Sequence, residues 1–349
     1  MKKSMLAVAA VAATVPFYTH AQSSVTLYGR INVGVEHFSY GSTPTRAASR
    51  LSVLTSDASL WGVRGSEDLG GGNRAYFKLE SGFQADTGAV TDGTKFFSRE
   101  SYVGLSSPTM GSLQLGSQWA PGLWQSLRAD PFLRFGPGGQ PYVLQVARGY
   151  TLRYDNALQY ISPKLGDVSA RFYHALGEGQ AVGKASALSV DYDSAPLYVG
   201  AYVEQSRVDG ATVGRPGGPV SSRTTSVAAS YDFSVVKLHA QAQTNHVAGL
   251  PNVDGYLLGV SIPVGVGQIK ASYVHKDARN ADASSLGVGY WHSLSKRTML
   301  FANVARLSNK GLAAYRMGPA LAEQGALGPN GPVAGQNATA INIGMMHTF

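Results

Sequence analysis

The chain has 349 residues, a formal net charge of +8 and no cysteine, which excludes a disulfide framework, a thiolate metal centre and a cysteine nucleophile. Charged residues are only 14% of the chain, against roughly 25% in ordinary soluble domains, so the default reading of one to three soluble domains is disfavoured. The basic residues are dispersed rather than gathered into an aromatic-interleaved patch, and no nucleic-acid partner is expected.

In chain order, the first element is a targeting segment. Lys2 and Lys3 precede the apolar run Met5 to Val15, and Thr19, His20 and Ala21 end it with small residues at the two positions that matter for cleavage. This pattern predicts a secretory signal over 1–21, cut after Ala21, and a mature domain over 22–349 starting at Gln22. Loss of Lys2 and Lys3 lowers the net charge from +8 by two, to +6. No stretch reaches the roughly 20 apolar residues that a membrane-spanning helix needs. If the chain resides in a membrane, it must do so as a closed barrel, since only helices and barrels satisfy every backbone group in lipid.

The mature sequence alternates with period two. Val25, Leu27, Gly29, Ile31, Val33 and Val35 share one face, and Thr26, Arg30, Asn32 and Glu36 the other, as in a strand with one apolar and one polar side. Ala75, Phe77, Leu79 and Phe83 oppose Arg74, Lys78, Glu80 and Gln84, while Val236, Leu238, Ala240 and Ala242 oppose Lys237, His239, Gln241 and Gln243. Further apolar faces run through Tyr256, Leu258, Val260 and Ile262, through Leu286, Val288 and Tyr290, and through Ile341, Ile343, Met345 and Phe349 at the end. Near 97–105 and 299–306 both faces are apolar, so the facing of those strands stays open.

The connections come in two sizes. Short turns rich in Gly, Pro, Asp and Ser lie at Glu67–Asn73, Ser106–Gly111, Ser162–Asp167, Asp193–Pro196, Asp232–Val235, Pro263–Gly267 and Ser293–Arg297. Longer polar stretches alternate with them near 39–48, 85–96, 119–149, 175–184, 206–222, 244–253, 276–282 and 307–336. Seven turns and eight loops predict sixteen strands with both termini on the short-turn side, the pattern of an all-β, antiparallel transmembrane barrel. A soluble sandwich has no reason to sort its connections by length.

The stretch Gln22-Ser23-Ser24-Val25-Thr26-Leu27-Tyr28-Gly29 resembles the opening of the general trimeric outer-membrane porins of Gram-negative bacteria, in their β-proteobacterial branch. So do Arg64-Gly65-Ser66-Glu67-Asp68-Leu69-Gly70-Gly71-Gly72, Lys78-Leu79-Glu80-Ser81-Gly82-Phe83, Tyr102-Val103-Gly104-Leu105, Asn156 with Tyr160 and Ser162-Pro163, and Leu294-Ser295-Lys296-Arg297-Thr298; Phe349 ends the chain after His347. The resemblance spans the whole chain and implies a sixteen-stranded barrel, a homotrimer, and a long third loop folded into the pore.

Loop 119–149 is the expected constriction loop, carrying Arg128, Asp130, Arg134 and Arg148 among Trp124, Phe132 and Phe135. Opposite it, the resemblance implies wall groups Arg99, Arg153, Lys78 and Glu80. The sequence departs from the family pattern at Leu60 and Ser117, where arginines are usual, and Arg64, further along the Leu60 strand, is a partial substitute. Phe349 is the expected assembly signal read by the barrel-insertion machinery. Outer-membrane lipid and lipopolysaccharide are the expected surroundings, with small anions and hydrophilic solutes the expected cargo.

Enzyme motifs are missing from the sequence. Gly259-Val260-Ser261-Ile262-Pro263 fails the Gly-x-Ser-x-Gly elbow at its last position. Gly70-Gly71-Gly72 is turn punctuation between strands, and His37, His174, His239, His246, His275, His292 and His347 lack metal-binding spacing. The expectation is therefore a cofactor-free, weakly anion-selective channel for passive diffusion. The alternatives are a substrate-specific channel, or a barrel acting through its loops as an adhesin or enzyme.

Overall fold

The computed structural model describes residues 24–139, 144, 152–215, 217–317 and 332–349. The expected signal segment and Arg148 lie outside these residues. Among those described, the alternating segments form one antiparallel sheet closed on itself.

The strand β1 (Ser24–Tyr40) opens the wall. Its neighbour comes in two pieces, β2 (Ser49–Ser56) and β3 (Leu60–Gly70). Val33–Tyr40 pairs with β2 and Ser24–Arg30 with β3, so the two pieces occupy one wall position and the barrel has sixteen wall strands. The break falls at Asp57, Ala58 and Ser59, with Ala58 at φ 52°. The freed Ala58 carbonyl accepts Nε and Nη2 of Arg30 at 3.2 and 2.7 Å, and Ser59 Oγ accepts the Asn32 N–H at 3.0 Å. The interruption thus leaves few orphan backbone groups.

The meander continues through β4 (Asn73–Gly82), β5 (Glu100–Ser107), β6 (Gly111–Trp119), β7 (Arg153–Ile161), β8 (Val168–Ala175) and β9 (Ala185–Ser194). It passes through β10 (Leu197–Asp209), β11 (Pro219–Asp232), β12 (Lys237–Val247) and β13 (Val253–Val264). It ends with β14 (Gly267–Asp277), β15 (Ala283–Ser293), β16 (Thr298–Asn309) and β17 (Ala338–Thr348). Closure is by β1 against β17, with Arg30 opposite Thr348 and Val35 opposite Ile343. The seven tight turns fall where the sequence puts them. At the first, Gly70, Gly71 and Gly72 all have positive φ, which only glycine adopts freely.

Burial is inverted relative to a soluble domain. Val25, Leu27, Leu258 and Ile343 are exposed on the outer face, whereas Asn32, Glu36, Gln241 and Asn303 are buried towards the inside. This is the arrangement of a barrel whose outer belt meets hydrocarbon. The two ambiguous regions now have a direction. On β5, Val103 and Leu105 are exposed outward. On β16, Phe301, Asn303, Ala305 and Leu307 are buried and alternate with exposed Leu300 and Val304. That inner face is apolar because loop residues pack on it: Leu144 and Met317 join Phe38, Leu307 and Ala340 in one cluster, and Phe132 joins Trp291 and Phe301 in another.

Candidate functional site

The segment after β6 enters a short helix, α1 (Pro121–Ala129), with proline in its first turn, where the missing N–H is not needed. The helical period sorts its side chains onto two faces. Gln125, Ser126 and Ala129 are buried against the wall. Gln125 donates to the Gly200 carbonyl at 2.9 Å and accepts the Ser226 hydroxyl at 2.5 Å, and Ala129 packs with Tyr198 and Ala228. Leu123, Trp124 and Leu127 lie on the opposite face and line an open cavity of about 740 Å³. The helix is therefore amphipathic in the reverse of the usual sense: its polar stripe seeks the hydrogen-bonding wall and its apolar stripe borders the open space.

Beyond α1 the loop is pinned to the wall at several points. Lys270 Nζ donates to the Pro131 carbonyl at 2.6 Å, Ser272 Oγ to the Gly138 carbonyl at 2.7 Å, and the Gly136 N–H to Asp57 Oδ2 at 2.7 Å. The wall leaves room for it. A β-carbon at Gly259 would meet Pro131 Cγ at 2.7 Å, and one at Gly287 would meet Gly138 Cα at 2.6 Å. Inside the loop, Asp130 accepts the N–H groups of Phe132 and Arg134 at 2.9 and 3.1 Å. The following Leu133 and Arg134 hold positive φ, 52° and 72°.

The cavity is bounded on the far side by the wall cations Arg30, Lys78, Arg99 and Arg153, and Arg134 adds a cation from the loop; against these five stand the three carboxylates Asp57, Glu80 and Asp92, so its formal charge is positive. Glu80 gathers three donors: Arg99 Nε at 2.6 Å, the Tyr28 hydroxyl at 2.9 Å and Lys78 Nζ at 3.3 Å. Lys78 also pairs with Glu100. Arg99 and Arg153 lie over the same ring, that of Trp119, at 5.0 and 4.6 Å from its centroid, and Arg30 lies over Phe135 at 4.6 Å. Such cation–π contacts orient a guanidinium without neutralising it.

Of the residues singled out from sequence, Lys78, Glu80, Arg99, Arg134 and Arg153 come together around this cavity. The other described ones do not line it. Arg64 lies beyond it on β3, over the Tyr28 ring at 5.1 Å. Arg128, at the end of α1, pairs with Asp193 and lies over Tyr198. Asp130 is fully buried and organises the loop backbone. Phe349 is at the β1–β17 seam, where its N–H and carbonyl both pair with Gly29.

The two departures from the family pattern separate. Leu60 borders the cavity. Ser117 falls on the opposite face of β6 from the buried Gln114 and Gln118, and its hydroxyl donates at 2.8 Å to Asp155, which Lys95 also pairs. Only the change at position 60 alters the cavity. Sequence reasoning missed Arg30, although alternation had put it on the polar face. Its strand pattern says which side it faces, and nothing local says that a break at Ala58 fixes it at the height of the loop.

A closed sixteen-stranded antiparallel barrel with a polar interior and a charged passage defines an outer-membrane diffusion channel. The chain belongs to the Gram-negative porin family, whose model matches residues 7–312, and it is a general porin of the outer membrane, a channel rather than an enzyme. It is 33% identical to outer membrane porin protein 32 of Delftia acidovorans, over all of both chains. It is 28% identical to an outer membrane porin protein of Bordetella pertussis, covering 86% of this chain and 93% of that one. Among solved structures, the anion-selective porin from Comamonas acidovorans superposes with a TM-score of 0.79 at 29% identity, over 94% of this chain and 100% of that one.

Proposed function

We propose that the cavity between α1 and the arginine-bearing wall is the constriction of the pore, and that it gives the channel a weak preference for small anions. The observation that carries this reading is the excess of cations around the cavity, five basic groups against three carboxylates. The similarity to a porin described as anion-selective supports it. Fixed charge on low-dielectric walls raises the local concentration of counter-ions in a cleft. Two unit charges about 4 Å apart interact by only about 1 kcal/mol in bulk water and by more at lower dielectric, so the effect is a bias of a few-fold and not an absolute filter. Solutes too large for the gap are rejected by size, and no energy is coupled to transport.

The working form in this reading is a homotrimer, as in the solved trimer form of OmpT from Vibrio cholerae, whose likeness at 14% identity concerns the fold. Residues 1–21 are the secretory signal, and Phe349 is the terminal signal for the insertion machinery. Lipid surrounds the exposed apolar belt, and lipopolysaccharide meets its outer rim. The test is reversal potential in a KCl gradient at low salt, for wild type and for Arg99→Glu with Arg153→Glu. Wild type favours chloride and the double variant shifts towards potassium; equal reversal potentials would remove these arginines from the constriction.

A further inference from the structure

We propose that the constriction favours small carboxylates with an apolar body, aromatic monocarboxylates above all, over hydrophilic anions of the same charge. The inference rests on reading this cavity as the narrowest part of the pore, and it names the substrate class that its two unlike sides fit.

One side is cationic. Arg99 and Arg153 both lie over the Trp119 ring, and Arg30 lies over Phe135. The other side is mainly apolar: Trp124 and Leu127 from α1 with the buried Leu123 beside them, then Leu133, and its one cation is Arg134, which donates to Ser126 of α1 at 2.7 Å. Within 120–139 the one carboxylate is Asp130, which is fully buried and bonded to backbone N–H groups, so this side offers the passage no negative charge. Leu60 extends the apolar surface onto the wall.

Two features make this apolar side a built one. First, α1 turns Gln125 to the wall, where it bonds Gly200 and Ser226, and leaves half-buried Trp124 and Leu127 lining the passage. A helix in contact with water would ordinarily do the opposite. Second, Leu133 is 40% exposed while held at φ 52°. A side chain with a β-carbon is disfavoured in that conformation and persists only where the surroundings impose it. Here Asp130 imposes it through the N–H groups on either side of Leu133.

A hydrated inorganic anion gains only from the cationic side. A carboxylate on an apolar ring places its charge at the arginines and removes its ring from water against Leu127 and Leu133, which is favourable in proportion to the area covered. Weak binding in the passage raises occupancy without trapping the solute.

The test uses the purified trimer in planar bilayers, with KCl on one side and potassium acetate or potassium benzoate on the other. Benzoate is expected to permeate at least as well as acetate despite its larger size. Leu127→Asn with Leu133→Asn is expected to lower the benzoate-to-acetate permeability ratio about threefold. The ratio is taken within one channel, so a general change of bore cancels. If wild type passes acetate better in the order of size, or if the leucine variant keeps the wild-type ratio, the inference is overturned. The wild-type measurement decides even if the variant fails to fold. The Arg99→Glu with Arg153→Glu channel reports separately on the constriction itself: an unchanged chloride preference there overturns the underlying reading, whatever benzoate does.

Discussion

Arg99 donates from Nε to Oε1 of Glu80 across 2.6 Å, at the edge of the passage. The wall carboxylate therefore holds in place a cation that the anion preference needs, and at the same time offsets its charge. Glu80 also accepts the Tyr28 hydroxyl and lies 3.3 Å from Lys78.

Glu80→Gln keeps the shape and most hydrogen bonds while removing one negative charge from the passage. The chloride-to-potassium permeability ratio is expected to rise about twofold at 0.1 M salt, the scale of one charge acting across a few ångströms of water. The measurement is reversal potential on heat-modifiable trimer. A fall in the ratio would mean that Glu80 serves the passage mainly by positioning Arg99.

Screening gives a second expectation that needs no variant. The Debye length is roughly 10 Å at 0.1 M salt and about 3 Å at 1 M. The anion preference should be measurable in dilute KCl and nearly vanish in concentrated KCl. A preference independent of salt would point to selection by desolvation in place of the local field.

The loop pins make a mechanical prediction. Lys270→Met removes the donor to the Pro131 carbonyl, and single-channel records should show more frequent current fluctuations. Gly287→Val puts a side chain where Gly138 now lies, within 2.6 Å, so the loop must move into the passage and conductance should fall. Records identical to wild type for both would show that the loop is held elsewhere.

Deleting Phe349 removes the last backbone pairs of the seam, to Gly29, and the ring that packs there. The yield of folded, heat-modifiable trimer should drop several-fold relative to wild type. Equal yields would remove the terminal residue from the assembly signal.

Intact-mass analysis of protein from the outer membrane should give a chain beginning at Gln22. A chain that keeps Met1 in that fraction would contradict cleavage after Ala21.

Much of the barrel was legible because its physics is local. Alternation along Val25 to Glu36 or Leu238 to Gln243 reports a sheet with lipid on one side and polar interior on the other, and Gly70-Gly71-Gly72 reports a turn. Of the strand facings that stayed open, the one near 299–306 was unreadable for a tertiary reason: Phe301 and Leu307 face inward in clusters with Phe132 and Met317, so the lumen there is largely apolar. Near 97–105 the cause is local, since Tyr102 and Gly104, opposite exposed Val103 and Leu105, carry no charge to mark the inner face. The constriction was legible in its residue types and less so in its geometry. Arg99, Arg153 and Glu80 were found through their motifs. The burial of Asp130, the pairing of Arg128 with Asp193 and the outward position of Ser117 depend on where the loop lands and on the β-bulge between Gly116 and Gln118.

The seam between the first and last strands has a bearing on biogenesis. Phe349 bonds to Gly29, and Thr348 faces Arg30, so the ring of strands is complete only when the final residues of the chain are in hand. Until then two long edges stand open, each a template for another strand, and neither is tolerated in hydrocarbon. A chain truncated at any interior point retains both edges however well its other hairpins form. The pairing of β1 with β17 thus acts as a check on closure: the backbone of the wall is satisfied all round, as the membrane interior requires, only once β17 has joined β1.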